Sequence, residues 1–386
     1  MDFIRRKVET KTAELLGKFP LLAVTGPRQS GKTTFCKMLR PEYKYANLED
    51  LELRQFASQD PKGFLEAYQG GAILDEIQYV PQLFSYLQVA TDAKGMPGEY
   101  ILSGSQHFLL SENISQSLAG RVALFDLLPF AWSELENTQH LPHSWEEFVV
   151  QGGYPRQIIQ GIAPADYFSS YVQTYVERDV RLIKNITNLG LFTRFMHVLA
   201  GRVGQLLNTN SMAIELGIDH KTVLSWLTVL EASFITFRLQ PYFENFNKQV
   251  VKSPKVYFYD TGLLSYLLGI RNANDLSLHF AKGALFENLV ILEFIKNQTF
   301  TGIQPSMYFW RDLSGHEIDL LWRNGPNLTA IEIKSGKTIQ PDFFKNLKFF
   351  KNLNDSASSF VVYGGADHQS RTHATVLGFE HLNQIF

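Results

Sequence analysis

Residues 21–34 read LLAVTGPRQSGKTT, and this stretch decides the fold of the first part of the chain. Its first five residues are an apolar run typical of a buried strand, and the rest fits the pattern G-x-x-x-x-G-K-[ST]. Because the pattern follows a strand and opens a helix, its backbone N–H groups would point at phosphate oxygens. We therefore predict a nucleoside triphosphate-binding loop made of Gly26, Pro27, Arg28, Gln29, Ser30, Gly31, Lys32, Thr33 and Thr34.

Residues in and near this loop predict ATP and Mg²⁺ as cofactors. Lys32 should reach the β- and γ-phosphates, and the Thr33 hydroxyl should bind Mg²⁺. The apolar run at residues 72–74 ends in two acids, Asp75 and Glu76. We predict that Asp75 is the second metal-binding residue and that Glu76 is the base that activates the attacking water.

Two further side chains are catalytic candidates. Ser105 follows the next apolar strand, where a hydroxyl could hold the γ-phosphate or the water, and the alternative is a simple loop serine. Arg121 precedes a further strand, from which its guanidinium could reach the γ-phosphate of a neighbouring subunit, and the alternative is a surface arginine. Arg156 and Arg178 are weaker candidates for sensing the nucleotide.

Composition narrows the class of protein. The chain has 386 residues, 45% of them hydrophobic, which is enough for two or three cores. A formal net charge of −2 excludes a uniformly basic nucleic-acid coat and restricts any such binding to local patches. The single cysteine, Cys36, cannot form an internal disulfide, and no apolar run approaches the roughly 20 residues of a membrane span. The first residues lack the apolar stretch of a signal peptide, so we expect a cytoplasmic, multidomain protein without a membrane partner.

Short apolar runs separated by segments of helical length predict a buried parallel sheet in an α/β nucleotide-binding unit. These runs are residues 21–25, 45–48, 72–74, 100–103 and 122–127. Aromatic-rich sequence without strands follows and predicts a helical lid. The predicted units are 1–132 for the ATPase core, 133–186 for the lid, 187–245 for a winged helix-turn-helix and 246–386 for a second α/β domain.

The predicted helix-turn-helix consists of residues 210–218 and 221–230, with residues 234–239 as a wing. Such a module contacts DNA or, alternatively, mediates protein contacts or packs against the ATPase core. Scattered basic residues could form its phosphate-binding patch. They are Lys221, Arg238, Lys248, Lys252 and Lys255.

The last third of the chain carries a second candidate site. Asp319 lies on one apolar strand run, and Glu332 and Lys334 lie two residues apart on the next, so that their side chains emerge on the same face. The pattern D-(x)n-E-x-K fits restriction-endonuclease-like nucleases, in which two carboxylates hold Mg²⁺ and the lysine orients water. Glu287, on the preceding predicted helix, is a candidate further ligand. The alternative is a fold that is kept for binding after its chemistry is lost.

Several motifs together resemble one family. They are the phosphate-binding loop, Asp75-Glu76, GSQ at 104–106, Gly120-Arg121, GGYP at 152–155 and YVERDV at 175–180. The chain resembles the prokaryotic AAA-type (AAA+ superfamily) P-loop ATPases that carry a C-terminal domain of unknown function of the DUF4143 type, and the resemblance covers nearly its whole length. The resemblance implies an AAA+ fold, a winged-helix segment, a restriction-endonuclease-like C-terminal domain and a ring or other homo-oligomer.

Three functions follow as hypotheses. The leading hypothesis is an ATP-driven machine that binds or processes duplex or branched DNA. The second is a nucleotide-controlled switch or scaffold, whose C-terminal domain binds an unidentified protein partner and whose nuclease-like residues are inactive. The third is an ATP-gated nuclease.

Overall fold

In the computed structural model, the described residues are 3–104, 117–176, 186, 188–243 and 250–386. The first sheet consists of parallel strands in the order β2-β3-β4-β1-β5. Its strands are β1 (Leu21–Thr25), β2 (Lys44–Asn47), β3 (Ala72–Asp75), β4 (Tyr100–Ser103) and β5 (Val122–Asp126). Their bounds differ from the predicted runs by at most one residue, so the predicted α/β fold with a parallel sheet is confirmed.

Helices follow these strands as the apolar pattern predicts. Every residue of β1, β3 and β4 is buried, because the sheet is covered on both faces. The helices of this part are α1 (Glu9–Leu16), α2 (Lys32–Leu39), α3 (Leu51–Gln59), α4 (Pro61–Ala67) and α5 (Leu83–Lys94). A short 3₁₀ helix, Ile77–Tyr79, follows β3 directly.

The predicted lid region is helical where the structure describes it. Its helices are α6 (Trp132–Leu135), α7 (Trp145–Gln151), α8 (Pro155–Gln160) and α9 (Pro164–Tyr171), and a π-helical turn follows at Val172–Val176. Proline opens both α8 and α9, a position where its missing N–H costs nothing.

The helix-turn-helix is present at the predicted position. Helix α10 (Leu189–Ala200) leads into α11 (Thr209–Leu216) and α12 (His220–Ala232). Gly217, with φ 67°, makes the sharp turn between α11 and α12.

A second sheet forms the rest of the fold. Its strand order is β12-β13-β11-β10-β9-β8-β6-β7, with β8, β9 and β10 antiparallel in sequence and β11 parallel to β10. Its strands are β6 (Thr236–Pro241), β7 (Lys255–Phe258), β8 (Met307–Arg311), β9 (Glu317–Asn324), β10 (Asn327–Lys334), β11 (Ser358–Tyr363), β12 (Gln369–Ser370) and β13 (Thr375–Gly378). The helices around it are α13 (Thr261–Leu267), α14 (Ala273–Leu278), α15 (Lys282–Thr301) and α16 (Lys345–Leu353), with 3₁₀ turns at Pro341–Phe344 and Phe379–Gln384.

The predicted wing is a member of this larger sheet. Strand β6 overlaps the predicted wing and pairs antiparallel with β7, but it also pairs parallel with β8 through Gln240 and Tyr308. The predicted boundary between residues 245 and 246 therefore falls inside one sheet. One hydrophobic core extends from Leu128 to Leu382 and includes lid, helix-turn-helix and C-terminal residues. Non-local strand pairing leaves no signal in local periodicity, which is why the sequence suggested separate units.

Buried polar contacts join the first sheet to the lid. Arg6 donates to Glu134 at 2.8 Å and to the carbonyl of Leu128 at 2.7 Å. From α15, Lys296 donates to the carbonyl of Phe130 at 2.8 Å. Breaking a buried ion pair by removing one partner typically costs about 3–5 kcal/mol, so these contacts fix the lid against the core. Within the described ranges, no helix is both long and apolar enough to cross a membrane.

Candidate functional site

The phosphate-binding loop adopts backbone angles that favour glycine. Gly26 has φ 141°, and a Cβ there would lie 2.3 Å from the carbonyl oxygen of Leu127. Gly31, with φ 90°, immediately precedes α2. Both positions need glycine, so the two glycines of the sequence pattern have a steric reason.

The loop opens into a cavity of about 900 Å³ between the first sheet and the lid. Loop residues 28–34 form one wall together with Glu76. Arg156 lines the cavity from lid helix α8, so this weaker sequence candidate does lie at the loop. The volume suits a ligand of nucleotide size.

Lys32 is buried in this cavity and donates to the carbonyls of Gly26 at 3.0 Å and Pro27 at 2.8 Å. Burial lowers the pKa of the Lys32 ammonium to about 8, although the carboxylates of Glu76 and Asp75 oppose that shift. A triphosphate would supply the negative charge that the buried ammonium lacks.

A second polar group of the loop is also suited to an anion. The Ser30 hydroxyl is fully buried and has no hydrogen-bond partner among the described residues. A buried polar group without a partner is costly, which favours a ligand that engages the loop. The loop residues therefore fit a bound triphosphate.

Asp75 accepts hydrogen bonds from three hydroxyls at the carboxyl edge of the sheet. Thr33 donates to it at 2.7 Å and Tyr45 at 2.9 Å, and Ser103 donates to its other oxygen. The predicted pairing of Thr33 with Asp75 is thus present, and its hydroxyl and carboxylate oxygens are the ligand type that Mg²⁺ prefers.

Sequence reasoning missed Tyr45 and Ser103. Strand register explains their positions. On β3, Asp75 is paired with Ser103 of β4 on one side and with Asn47 of β2 on the other. Tyr45 lies two residues before Asn47 and therefore on the same face of β2. The sequence could have indicated these residues, because polar side chains near the ends of neighbouring parallel strands meet at the same edge of the sheet.

Glu76 lies beside Asp75 and lines the same cavity, as predicted. Its backbone is left-handed, with φ 54°, which is uncommon for a residue with a side chain. Gln78 donates from its amide Nε2 to the Glu76 carboxylate. The proposed base therefore occupies a constrained position at the phosphate end of the cavity.

Two other sequence candidates, Ser105 and Arg178, lie outside the described residues. A third, Arg121, does not line this cavity and pairs with Asp92 at 2.6 and 2.9 Å. It precedes Val122, which pairs with Leu21 at the start of β1, whereas the phosphate-binding loop follows the end of β1. Arg121 is therefore at the opposite edge of the sheet from the loop of the same chain.

The lid contacts the loop and continues into the C-terminal part. Tyr167, on α9, donates to the Gln29 side chain at 2.8 Å. The backbone N–H of Gly153 donates to Asp260 at 2.8 Å, and Asp260 also caps α13. The loop thus contacts the lid directly, and the lid in turn contacts the C-terminal part.

The second candidate site has the predicted contacts between its strands. Lys334 donates to Asp319 at 3.0 Å and to Glu332 at 2.5 Å, and the N–H of Ile333 donates to Asp319 at 2.8 Å. Glu287, Asp319 and Lys334 line one cavity of about 540 Å³. The three residues of the sequence pattern, Asp319, Glu332 and Lys334, therefore lie together in the fold.

Lysines balance the acids of this cluster. Lys255 is buried and donates to Glu287 at 3.0 Å, and it also pairs with Glu317. Tyr257 donates to the same Glu287 oxygen at 2.5 Å. Within the described parts of the chain, no group of three His, Cys, Asp or Glu side chains is arranged to hold a metal ion. In this structure the carboxylates are compensated by ammonium groups.

The position of Lys255 corrects one prediction. The sequence placed Lys255 in a surface phosphate-binding patch, but its side chain is only 4% exposed and is engaged by carboxylates. Strand β7 lies at the edge of the sheet, but all four of its residues are buried, and the Lys255 side chain faces Glu287. Of the other predicted patch residues, Lys248 lies outside the described residues, and Arg238 is paired with Glu231.

Burial and neighbouring charges together set the pKa values of the two acids in this cluster. Burial and the Asp319 carboxylate hold the pKa of Glu332 well above its usual value. Burial alone would raise the pKa of Asp319, but Lys334 and Lys255 bring it below its usual value. Asp319 is therefore the acid that stays ionised, and Glu332 is the acid that most readily takes a proton.

Three segments of the chain match known protein families. Residues 18–136 match the family described as AAA domain. Residues 142–274 match a domain of unknown function, DUF8612, which covers most of the predicted lid, the predicted helix-turn-helix and the first part of the predicted second α/β domain. Residues 282–382 match a domain of unknown function, DUF4143.

Similar proteins include chains without an assigned function. Uncharacterized proteins of Mycobacterium bovis and Mycobacterium tuberculosis are each 28% identical to this chain over 379 residues, which is 97% of this chain and 82% of theirs. An uncharacterized protein of Methanocaldococcus jannaschii is 22% identical, over 77% of this chain and 71% of its own length.

Among solved structures, the Walker-type ATPase of Pyrococcus abyssi is 16% identical with a TM-score of 0.48, covering 69% of this chain and 96% of that one. The AMPPCP-bound DnaA of Aquifex aeolicus is 13% identical with a TM-score of 0.31, covering 58% and 86%. The chain therefore combines a segment of the AAA domain family, residues 18–136, with a C-terminal segment of the DUF4143 family, residues 282–382, as the resemblance predicted.

Proposed function

We propose that this chain is a Mg²⁺-dependent ATP hydrolase. The observation that carries the proposal is the contact between the Thr33 hydroxyl and the Asp75 carboxylate, 2.7 Å apart, beside Glu76 at the phosphate-binding loop. Two oxygen atoms of the type that binds Mg²⁺ and one potential base thus lie together beside the phosphate-binding loop, which supports the proposal.

Each side chain has one task in this mechanism. Lys32 would leave the loop carbonyls and pair with the β- and γ-phosphates, while Thr33 and Asp75 would hold Mg²⁺. When bound, Mg²⁺ neutralises charge on the phosphate oxygens. Glu76 takes a proton from the water that attacks the γ-phosphorus, and ADP leaves as the bridging bond breaks. Tyr45 and Ser103 hold the Asp75 carboxylate in place.

The proposed output of the cycle is DNA binding or processing, through the helix-turn-helix and the C-terminal cluster. Lys221 is exposed at the start of α12, where it could contact phosphate. A protein-binding switch is the second candidate, and exposed apolar residues favour it. Ile214, on α11, is 84% exposed, and Leu224, on α12, is 38% exposed.

Glu76→Gln should lower ATP turnover by about 100-fold or more while ATP still binds, because a general base is lost and the cavity is kept. Phosphate release with Mg²⁺ and with EDTA measures this, and Glu52→Gln, an exposed acid on α3, is the control. Equal turnover in the two variants would contradict the assignment. Adding single-stranded, duplex and branched DNA separates the outputs: stimulation supports the DNA machine, and indifference supports the protein-binding switch.

ATP affinity should fall as the pH rises above about 8, by up to about tenfold per pH unit. The reason is that the free protein loses the Lys32 proton near this pH, whereas a bound triphosphate favours the charged ammonium and raises its pKa. Titration of a fluorescent ATP analogue from about pH 7 to about pH 9.5 measures the effect. Lys44→Met, which replaces an exposed lysine at the start of β2, should keep the same pH dependence, and a flat wild-type profile would contradict the prediction.

Arg121 is proposed as an arginine finger that acts on a neighbouring subunit of a homo-oligomer. Its location at the edge of the sheet away from its own loop favours action in trans, after release from Asp92.

Mixing Lys32→Ala subunits with Arg121→Ala subunits should restore part of the lost turnover, because each intact loop then meets an intact arginine. A mixture of Lys32→Ala with Glu76→Gln contains no intact active site and serves as the control. No restoration in the first mixture would count against a role in trans.

The C-terminal cluster is proposed as a phosphodiesterase site on a restriction-endonuclease-like fold. The order of α15, three antiparallel strands, α16 and a parallel strand supports that fold, and the contact of Lys334 with Asp319 and Glu332 supports the site. Asp319 and Glu332 would hold Mg²⁺ in place of the lysine ammonium, which would turn to the attacking water.

Lys334→Ala should abolish Mg²⁺-dependent nicking of supercoiled DNA, because the residue that orients water is removed. Lys345→Ala, an exposed lysine on α16, should nick like the wild type. Gel electrophoresis of plasmid with and without ATP measures both variants. Unchanged nicking in Lys334→Ala would point to a contaminant, and no nicking in any protein would leave the domain a binding module.

A further inference from the structure

The segment that follows the proposed base is held on two sides. Glu76 has a left-handed backbone, and the next residues, Ile77–Tyr79, form a 3₁₀ helix. Ile77 is fully buried in the core of the first sheet. Arg54 lies over the ring of Tyr79, 4.2 Å from its centroid. Packing on both sides therefore fixes the position of Gln78 between these residues.

Gln78 uses this position to reach Glu76. Its side-chain amide donates from Nε2 to Oε2 of the Glu76 carboxylate. A carboxylate can only accept, so chemistry assigns the amide NH₂ to this side. The carbonyl oxygen of the same amide is then buried and has no hydrogen-bond partner among the described residues.

Two features of Glu76 and Gln78 cost free energy in the folded state. A buried acceptor without a partner costs roughly 1–3 kcal/mol. A left-handed backbone at a residue other than glycine costs roughly 1–2 kcal/mol more. Costs of this kind persist where the fold holds a group for function. The substitution Gln78→Leu would fill the same space and leave no carbonyl buried. Burial alone therefore does not explain why this position carries an amide.

We propose that Gln78 is a positioning residue for the general base Glu76, which its amide holds by one carboxylate oxygen so that the carboxylate faces the attacking water. The inference rests on the proposed ATP hydrolysis. The amide fixes the rotamer of Glu76, because it donates to one oxygen of the carboxylate. Gln78 itself does not line the nucleotide cavity.

The test compares Gln78→Leu and the isosteric Gln78→Glu with wild type, in kcat, KM and ATP affinity. Both variants should lower kcat by about tenfold or more, with ATP affinity within about twofold of wild type. Neither replacement side chain donates a hydrogen bond to the Glu76 carboxylate, so each releases the rotamer that the amide holds.

Gln82→Leu is the matched control, since Gln82 is exposed on the same segment and donates to the carbonyl of Ser58 at 2.9 Å. It should leave kcat and KM unchanged. Wild-type kcat in both Gln78 variants would overturn the inference. A fall in ATP affinity and in thermal stability that accompanies the fall in kcat would also overturn it, because it indicates a structural role. Absence of hydrolysis in the wild type would remove the proposed ATPase function and this inference with it.

Discussion

The Asp75 carboxylate connects the main parts of the nucleotide site, because one group accepts hydrogen bonds from Thr33 on α2, Tyr45 on β2 and Ser103 on β4. A buried carboxylate is tolerated only where donors replace its water, so these three hydroxyls must stay near it. They hold the start of α2 against the sheet, and with it the loop that precedes α2. The same oxygens are those that Mg²⁺ would use. Loop geometry and cofactor binding therefore depend on one carboxylate.

The loop is connected to the C-terminal part through the lid. Tyr167 contacts the loop at Gln29, and Gly153 contacts Asp260 at the start of α13. Burial raises the pKa of the Asp260 carboxyl, while the N–H groups of Gly153 and Leu263 oppose that shift. The lid and the C-terminal part also share one hydrophobic core, so a shift of the lid would strain the C-terminal part. These contacts are the physical basis on which the proposed ATP turnover could be coupled to the C-terminal part.

The acidic cluster shows why sequence pattern and chemistry must be separated. The spacing of Glu332 and Lys334 predicted their common face, and β9 brought Asp319 beside them. The pattern contained no information on Lys255, because this residue lies on β7, which is far in sequence from Asp319, Glu332 and Lys334. Lys255 was therefore placed on the surface, although it neutralises Glu287 inside the fold. Charge balance in such a cluster depends on every strand that reaches it.

Local sequence determined the strands of the first sheet, the phosphate-binding loop, the Asp75-Glu76 pair and the helix-turn-helix, because apolar periodicity and glycine geometry act over a few residues. Tertiary structure alone decided which side chains complete each site. Tyr45, Ser103 and Gln78 became parts of the nucleotide site through strand register and packing, and β6 joined the C-terminal sheet through pairing with β8. The physical reason is that a strand or a helix carries its own hydrogen-bond pattern in its sequence, whereas the neighbours that its side chains meet are set by contacts between distant segments.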